Sequence, residues 1–115
     1  KIWGSPWQPE FHDWSFNLPR GSALAEKWAL IPEDTDILIT HSPPRGILDL
    51  CSHGGREGCD DLLKRVVELR PALHLFGHIH EAHGKEFHNE TNYINASICN
   101  LGYRPVNSPF VWDLP

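Results

Sequence analysis

The stretch from Asp36 to Phe76 limits the possible folds more than any other part of the chain. It opens on Asp36-Ile37-Leu38-Ile39-Thr40, a short apolar and β-branched run that reads as a buried strand. Leu73-His74-Leu75-Phe76 is a second run of the same kind. Between them Asp60 and Asp61 suit the positive end of a helix dipole. Leu62, Leu63, Val66 and Val67 then recur at i, i+4 spacing, which gives one apolar face, and Pro71 closes the segment. Strand, helix, strand over 36–76 predicts a βαβ unit with neighbouring parallel strands, a right-handed crossover and the 58–70 helix packed across both. The fold class is therefore expected to be α/β.

The flanks add shorter elements. Residues 1–20 carry Trp3, Trp7, Trp14 and Phe16 among prolines, which predicts a short strand and then an ordered loop packed by aromatics. Ser22 is placed to cap a helix over about 23–30, with Leu24 and Trp28 on one face and Pro32 beyond its end. After Gly84, segments near 85–88, 92–98 and 110–113 read as further strands separated by turn residues. No repeat or linker divides the 115 residues, so 1–115 reads as part of one domain. The chain starts at Lys1 and contains no Met, and the expectation is a piece of a longer protein whose upstream half is absent.

Charge and composition exclude several classes. Ten basic residues against 15 acidic ones leave no electrostatic footprint for nucleic acid or an anionic membrane. No apolar run approaches the roughly 20 residues a membrane-spanning helix needs. The three cysteines, Cys51, Cys59 and Cys99, are too sparse for a disulfide framework, and a reducing cytoplasmic setting is expected. Asn89-Glu90-Thr91 and Asn95-Ala96-Ser97 match the glycosylation pattern and are read as chance matches.

Two short stretches carry chemistry. Thr40-His41-Ser42-Pro43-Pro44 follows the first strand directly, and Gly77-His78-Ile79-His80 follows the second. Sites in open α/β sheets form just beyond the carboxyl ends of strands, so both groups belong at one edge, roughly 5–10 Å apart if the strands are neighbours. Imidazole is the common nitrogen ligand for Zn, Fe and Mn, and His41, His78 and His80 are the candidate metal ligands and catalytic residues. Gly77 lets the backbone turn sharply before them. His12, His53, His74, His83 and His88 read as ordinary polar residues, with His53 and His83 somewhat better placed. Three neutral imidazoles bring no charge to offset divalent cations. Phosphate-ester hydrolysis commonly uses two metals about 3.5–4 Å apart with bridging oxygen, which calls for carboxylates. Asp49 and Glu81 are the nearest acids and poor donors, so the carboxylates are expected upstream.

These residues resemble the last two motifs of the calcineurin-like metallophosphoesterase superfamily, a single His and then Gly-His-x-His. The resemblance is closest to a subgroup of small metallophosphoesterase-domain proteins. It extends to Trp3-Gly4-Ser5-Pro6-Trp7, Phe16-Asn17-Leu18-Pro19-Arg20-Gly21, Thr40-His41-Ser42-Pro43-Pro44 and Tyr93-Ile94-Asn95-Ala96-Ser97. It implies the C-terminal half of an αββα sandwich, with a mixed sheet in which a βαβ unit precedes antiparallel strands. It implies two divalent ions (Mn, Fe, Zn or Mg), with His41 and His78 on the second and His80 on the first, and a metal-activated hydroxide attacking small phosphodiesters such as cyclic nucleotides. Asn95 and Arg45 are candidate substrate contacts. The superfamily's Asp-x-His, Gly-Asp and Gly-Asn-His-Glu motifs do not occur here. The fragment alone is accordingly expected to be inactive and to self-associate or pair with the missing half. Two other readings stay open, a zinc-stabilised module built on Cys51, His53 and Cys59, and a non-catalytic partner-binding piece.

Overall fold

Ile37–Thr40 (β4) pairs in parallel with Leu73–Phe76 (β5) in the computed structural model, which describes residues 1–114. The crossover between them contains the helix Asp60–Leu69 (α2), so the βαβ unit forms as the apolar runs require. Ile2–Ser5 (β1) pairs in parallel on the outer side of β4. Gly84–His88 (β6) and Thr91–Asn95 (β7) form an antiparallel hairpin. Here β7 inserts next to β5, parallel to it, and β6 takes the far edge, giving the five-stranded order β1-β4-β5-β7-β6. A second, two-stranded sheet pairs Gln8–Pro9 (β2) with Asn17–Leu18 (β3).

The register assigns the two faces of the large sheet. Leu38, His74 and Tyr93 share a row, and Phe76 lies on the same face. Both Ser22–Ala29 (α1) and α2 pack there, and Leu24, Trp28, Leu62 and Val66 form one buried cluster with Leu38, Phe76 and Tyr93. The opposite face carries Ile2, Ile37, Leu73 and Phe87 in one row and Ile39, Leu75 and Ile94 in the next. Ile2, Ile39 and Phe87 are open to solvent there, at 65%, 43% and 64% exposure.

Helix ends follow local chemistry. The Cys59 sulfur caps α2 by accepting the Leu62 N–H at 3.4 Å, and Asp60 and Asp61 occupy the first turn. The helix closes on Arg70 in a left-handed conformation, whose N–H returns to the Val66 carbonyl. At α1 the expected Ser22 cap is corrected. Gly21 is the cap, at φ 98°, and Ser22 is the first helical residue. A glycine adopts that φ without a Cβ clash, so the helix begins one residue earlier than a serine cap would place it. The expected strand over 110–113 does not form; Val111 is 88% exposed and has no neighbouring strand to pair with.

The long connection from His41 to Gly58 is ordered around Asp49. Its carboxylate is fully buried and accepts the Gly46 N–H at 3.0 Å, the Gly58 N–H at 2.9 Å and the Arg56 Nη1 at 2.7 Å. Gly58 passes so close to Pro44 that a Cβ would lie 2.4 Å from its carbonyl oxygen, so only glycine fits.

Candidate metal centre

Both histidine stretches emerge at the carboxyl edge of adjacent strands, and the backbone ties them together. The Gly77 N–H donates to the His41 carbonyl at 3.0 Å. His78 follows with φ 69°, and the Ile79 N–H returns to the Gly77 carbonyl at 2.8 Å. An i to i+2 bond around a residue of positive φ is the strained form of the three-residue turn. This reversal sets the His78 ring beside His41, with centroids 4.9 Å apart and planes at 48°. Phe11, from the loop joining β2 and β3, meets the His78 ring edge-on at 4.9 Å.

His80 begins a single turn of 3₁₀ helix, His80–Ala82. Its Nδ1 lies 3.0 Å from the Asn100 carbonyl, which can only accept, so Nδ1 carries the proton and Nε2 keeps its lone pair. Tyr103 stands edge-on to this ring at 5.8 Å. All three imidazoles line one cleft of about 690 Å³. Among the described residues, however, no three His, Cys, Asp or Glu side chains come close enough to share an ion. The structure pairs His41 with His78 and leaves His80 on the same wall, turned toward Asn100.

Burial sets the charge of the pair. It lowers the pKa of His41, and it pushes His78 down to about 4, helped by the proximity of His41 and His80. Both rings are therefore neutral at physiological pH, the state that leaves a lone pair for a ligand. Three acids line the cleft, Asp13, Glu57 and Glu81, and the last two have other partners. Glu81 accepts the Ser52 N–H at 2.9 Å, and Glu57 lies 3.6 Å from Arg20 and 3.7 Å from His53.

No family-wide sequence model matches the chain. Individual proteins do. It is 56% identical, over all of its length, to metallophosphoesterase domain-containing protein 1 of Homo sapiens, of which it covers 36%. It is 45% identical over 99% of its length to a UPF0046 protein of Caenorhabditis elegans, covering 29% of that protein. A 44% match to a probable rhamnogalacturonate lyase C of Emericella nidulans covers only 9% of that much longer chain, so its name says little about this segment. Over the segment it spans, the chain belongs to the metallophosphoesterase domain-containing family. It spans about a third of the length of the first relatives named here.

That family uses divalent metal ions, and the imidazoles at this cleft are of the donor type that binds them. His41 and His78 are neutral and face one another, and the proton on His80 Nδ1 is held by a backbone carbonyl, the arrangement that orients a ligating imidazole. Among the described residues no carboxylate joins them in a gathered set of three donors. The remaining candidates lie elsewhere. Asn95 is fully buried; its amide N–H groups donate to the Leu48 and Ile79 carbonyls at 3.1 and 2.9 Å, and its oxygen accepts the Ser97 N–H. It joins the long connection, the histidine loop and the end of β7. Arg45 is exposed, 3.8 Å from Asp60, and does not line the cleft. Asp49 is committed to its loop, as described above.

The other histidines divide in the same way. His12 packs on Phe11, His83 stacks on Phe110 and His88 pairs with Glu86. His53 reaches the cleft wall. His74 is buried in the core, with Nε2 2.9 Å from the Thr40 hydroxyl. The sequence predicts an aromatic-packed loop within residues 1–20 but does not place it against His78. Asn17 provided a signal, since its side chain closes that loop onto the backbone of Phe11 and His12.

Proposed function

We propose that this chain contributes the histidine side of a metal centre that hydrolyses small phosphodiesters, cyclic nucleotides among them. The observation that carries the reading is the pairing of neutral His41 and His78 at the carboxyl edge of β4 and β5, with His80 on the same cleft wall. His41 and His78 would hold one ion and His80 would serve a second. When bound, such ions supply Lewis-acid activation of water and of the phosphoryl group. The chain's own residues orient the ligands, with Phe11 edge-on to His78 and Tyr103 edge-on to His80. The sheet and its two helices would form half of a two-sheet sandwich, and a reducing, cytoplasmic setting suits three free cysteines.

This chain alone is expected to bind metal weakly and to hydrolyse phosphate esters negligibly, because no carboxylates are gathered to balance a second cation about 4 Å away. The test titrates the chain with cobalt(II) or zinc and assays bis-nitrophenyl phosphate in parallel. His41→Ala and His78→Ala should each abolish this binding, and His80→Ala should weaken it further. Unchanged binding in the His41→Ala/His78→Ala double variant would remove the reading. Substantial hydrolysis by the chain itself would show that its carboxylates have been misplaced. A zinc module on Cys51, His53 and Cys59 finds no support, since the Cys59 sulfur is buried and accepts from Leu62 N–H and Trp28 Nε1.

A further inference from the structure

His74 sits in the core with no exposure, its ring packed near Phe76 and Tyr93 at 5.0 and 5.7 Å. A polar ring at such a position is costly unless its hydrogen bonds are made. One is made and one is not: Nε2 meets the Thr40 hydroxyl at 2.9 Å, while Nδ1 has no partner. Self-satisfaction therefore does not explain the imidazole, and the single bond it makes marks what it is for.

The partner hydroxyl fixes the direction of that bond. Thr40 Oγ1 lies 2.8 Å from the Ser42 carbonyl oxygen, which only accepts, so the single hydroxyl proton goes to Ser42. The Thr40 oxygen then presents a lone pair to His74, and Nε2 must carry the ring proton. The result is a buried relay from His74 Nε2–H to Thr40 O–H to the Ser42 carbonyl. It pins the residues immediately before and after His41. The His41 carbonyl is held separately by the Gly77 N–H.

We propose that His74 is a positioning residue for the candidate metal centre, acting through Thr40 to hold the turn that presents His41. The proposal rests on the metal-centre reading above. Partners that orient a ligating imidazole typically change metal affinity by about 10–100-fold when removed. His74 acts one bond further out, so about tenfold is expected.

The experiment measures zinc affinity of the chain by calorimetry in four variants. His74→Leu fills the space without a donor. His74→Gln offers an amide N–H near the position of Nε2. Thr40→Val removes the relay at nearly constant volume and keeps the test open should His74→Leu fail to fold. Zinc should bind about tenfold more weakly to His74→Leu and to Thr40→Val, no more weakly to the double variant than to either single one, and close to normally to His74→Gln. Wild-type affinity in Thr40→Val or in a folded His74→Leu overturns the proposal, as does a His74→Gln variant no better than His74→Leu. Ring ¹⁵N resonances in the metal-free chain give a second readout. They should show His74 as the Nε2–H tautomer, and His41 in one environment in the wild type but several in Thr40→Val. An unchanged single His41 environment in Thr40→Val also overturns it. If His41→Ala leaves zinc affinity unaltered, the metal-centre reading fails instead, and the resonances still decide whether His74 holds the turn.

Discussion

The histidines of this chain differ in what burial does to them, and that difference is measurable. Desolvation pushes His74 down to about 3, and it takes His78 to about 4 with help from its neighbours. Both fold as neutral rings, whereas in the unfolded chain each titrates near the ordinary 6.5. Between those values the unfolded state binds more protons, so stability is fullest above pH 6.5 and falls as pH drops toward the folded pKa. His74 alone should cost about 2 kcal/mol between pH 6.5 and pH 5. Urea unfolding at pH 8, 6.5 and 5 checks this, and His74→Leu should flatten the profile. A proton titration by NMR should find His78 uncharged down to about pH 4. A midpoint near 6.5 would mean that its ring is solvated and that Phe11 does not cover it.

At the scale of elements, the connection from His41 to Gly58 contains no helix or strand and sits directly beside the cleft. Its shape depends on one carboxylate. Asp49 accepts two backbone N–H groups and a guanidinium from inside a fully buried position. Asp49→Asn turns one acceptor into a donor facing another donor and leaves Arg56 without its counter-charge. The expected cost is about 1–3 kcal/mol by chemical denaturation, because a buried donor loses its partner, while the half-exposed Arg56 can turn to solvent. The same change should broaden the resonances of Gly46 and Gly58 while leaving those of α1 sharp. A loss below half a kilocalorie would mean that Pro43, Pro44 and Gly58 shape the loop without Asp49.

At the scale of the molecule, one sheet face is packed by both helices and the other exposes Ile2, Ile39 and Phe87. Side chains of this kind each contribute roughly 1.5–3 kcal/mol when fully buried. The face is therefore expected to drive weak self-association of the chain. Sedimentation should show a concentration-dependent average mass, and Phe87→Glu together with Ile39→Lys should return it to the monomer. A wild-type chain that stays monomeric at millimolar concentration would rule this out. Among the described residues no helix is long and apolar enough to cross a membrane.

The sequence by itself determined the βαβ unit, because β-branched runs and an i, i+4 apolar stripe each satisfy only one backbone period. The two elements built on residues 36–40 and 73–76 pair in parallel as that pattern requires. It also marked β6 and β7, whose turn at Asn89 and Glu90 is readable locally, and it brought His41, His78 and His80 to one cleft by placing them after adjacent strands. What lay outside its reach depended on contacts between distant segments. Local alternation over 110–113 says nothing of a pairing partner, and none is there. A motif spacing does not reveal that His78 turns through a positive φ toward His41 while His80 turns toward Asn100. Nor does it reveal that Asn95 binds three loops together, or that His74, 34 positions from Thr40, reaches its hydroxyl. Such hydrogen bonds form only after parallel strands have closed a long crossover, so tertiary structure alone decides which polar side chains face the cleft and which support it from behind.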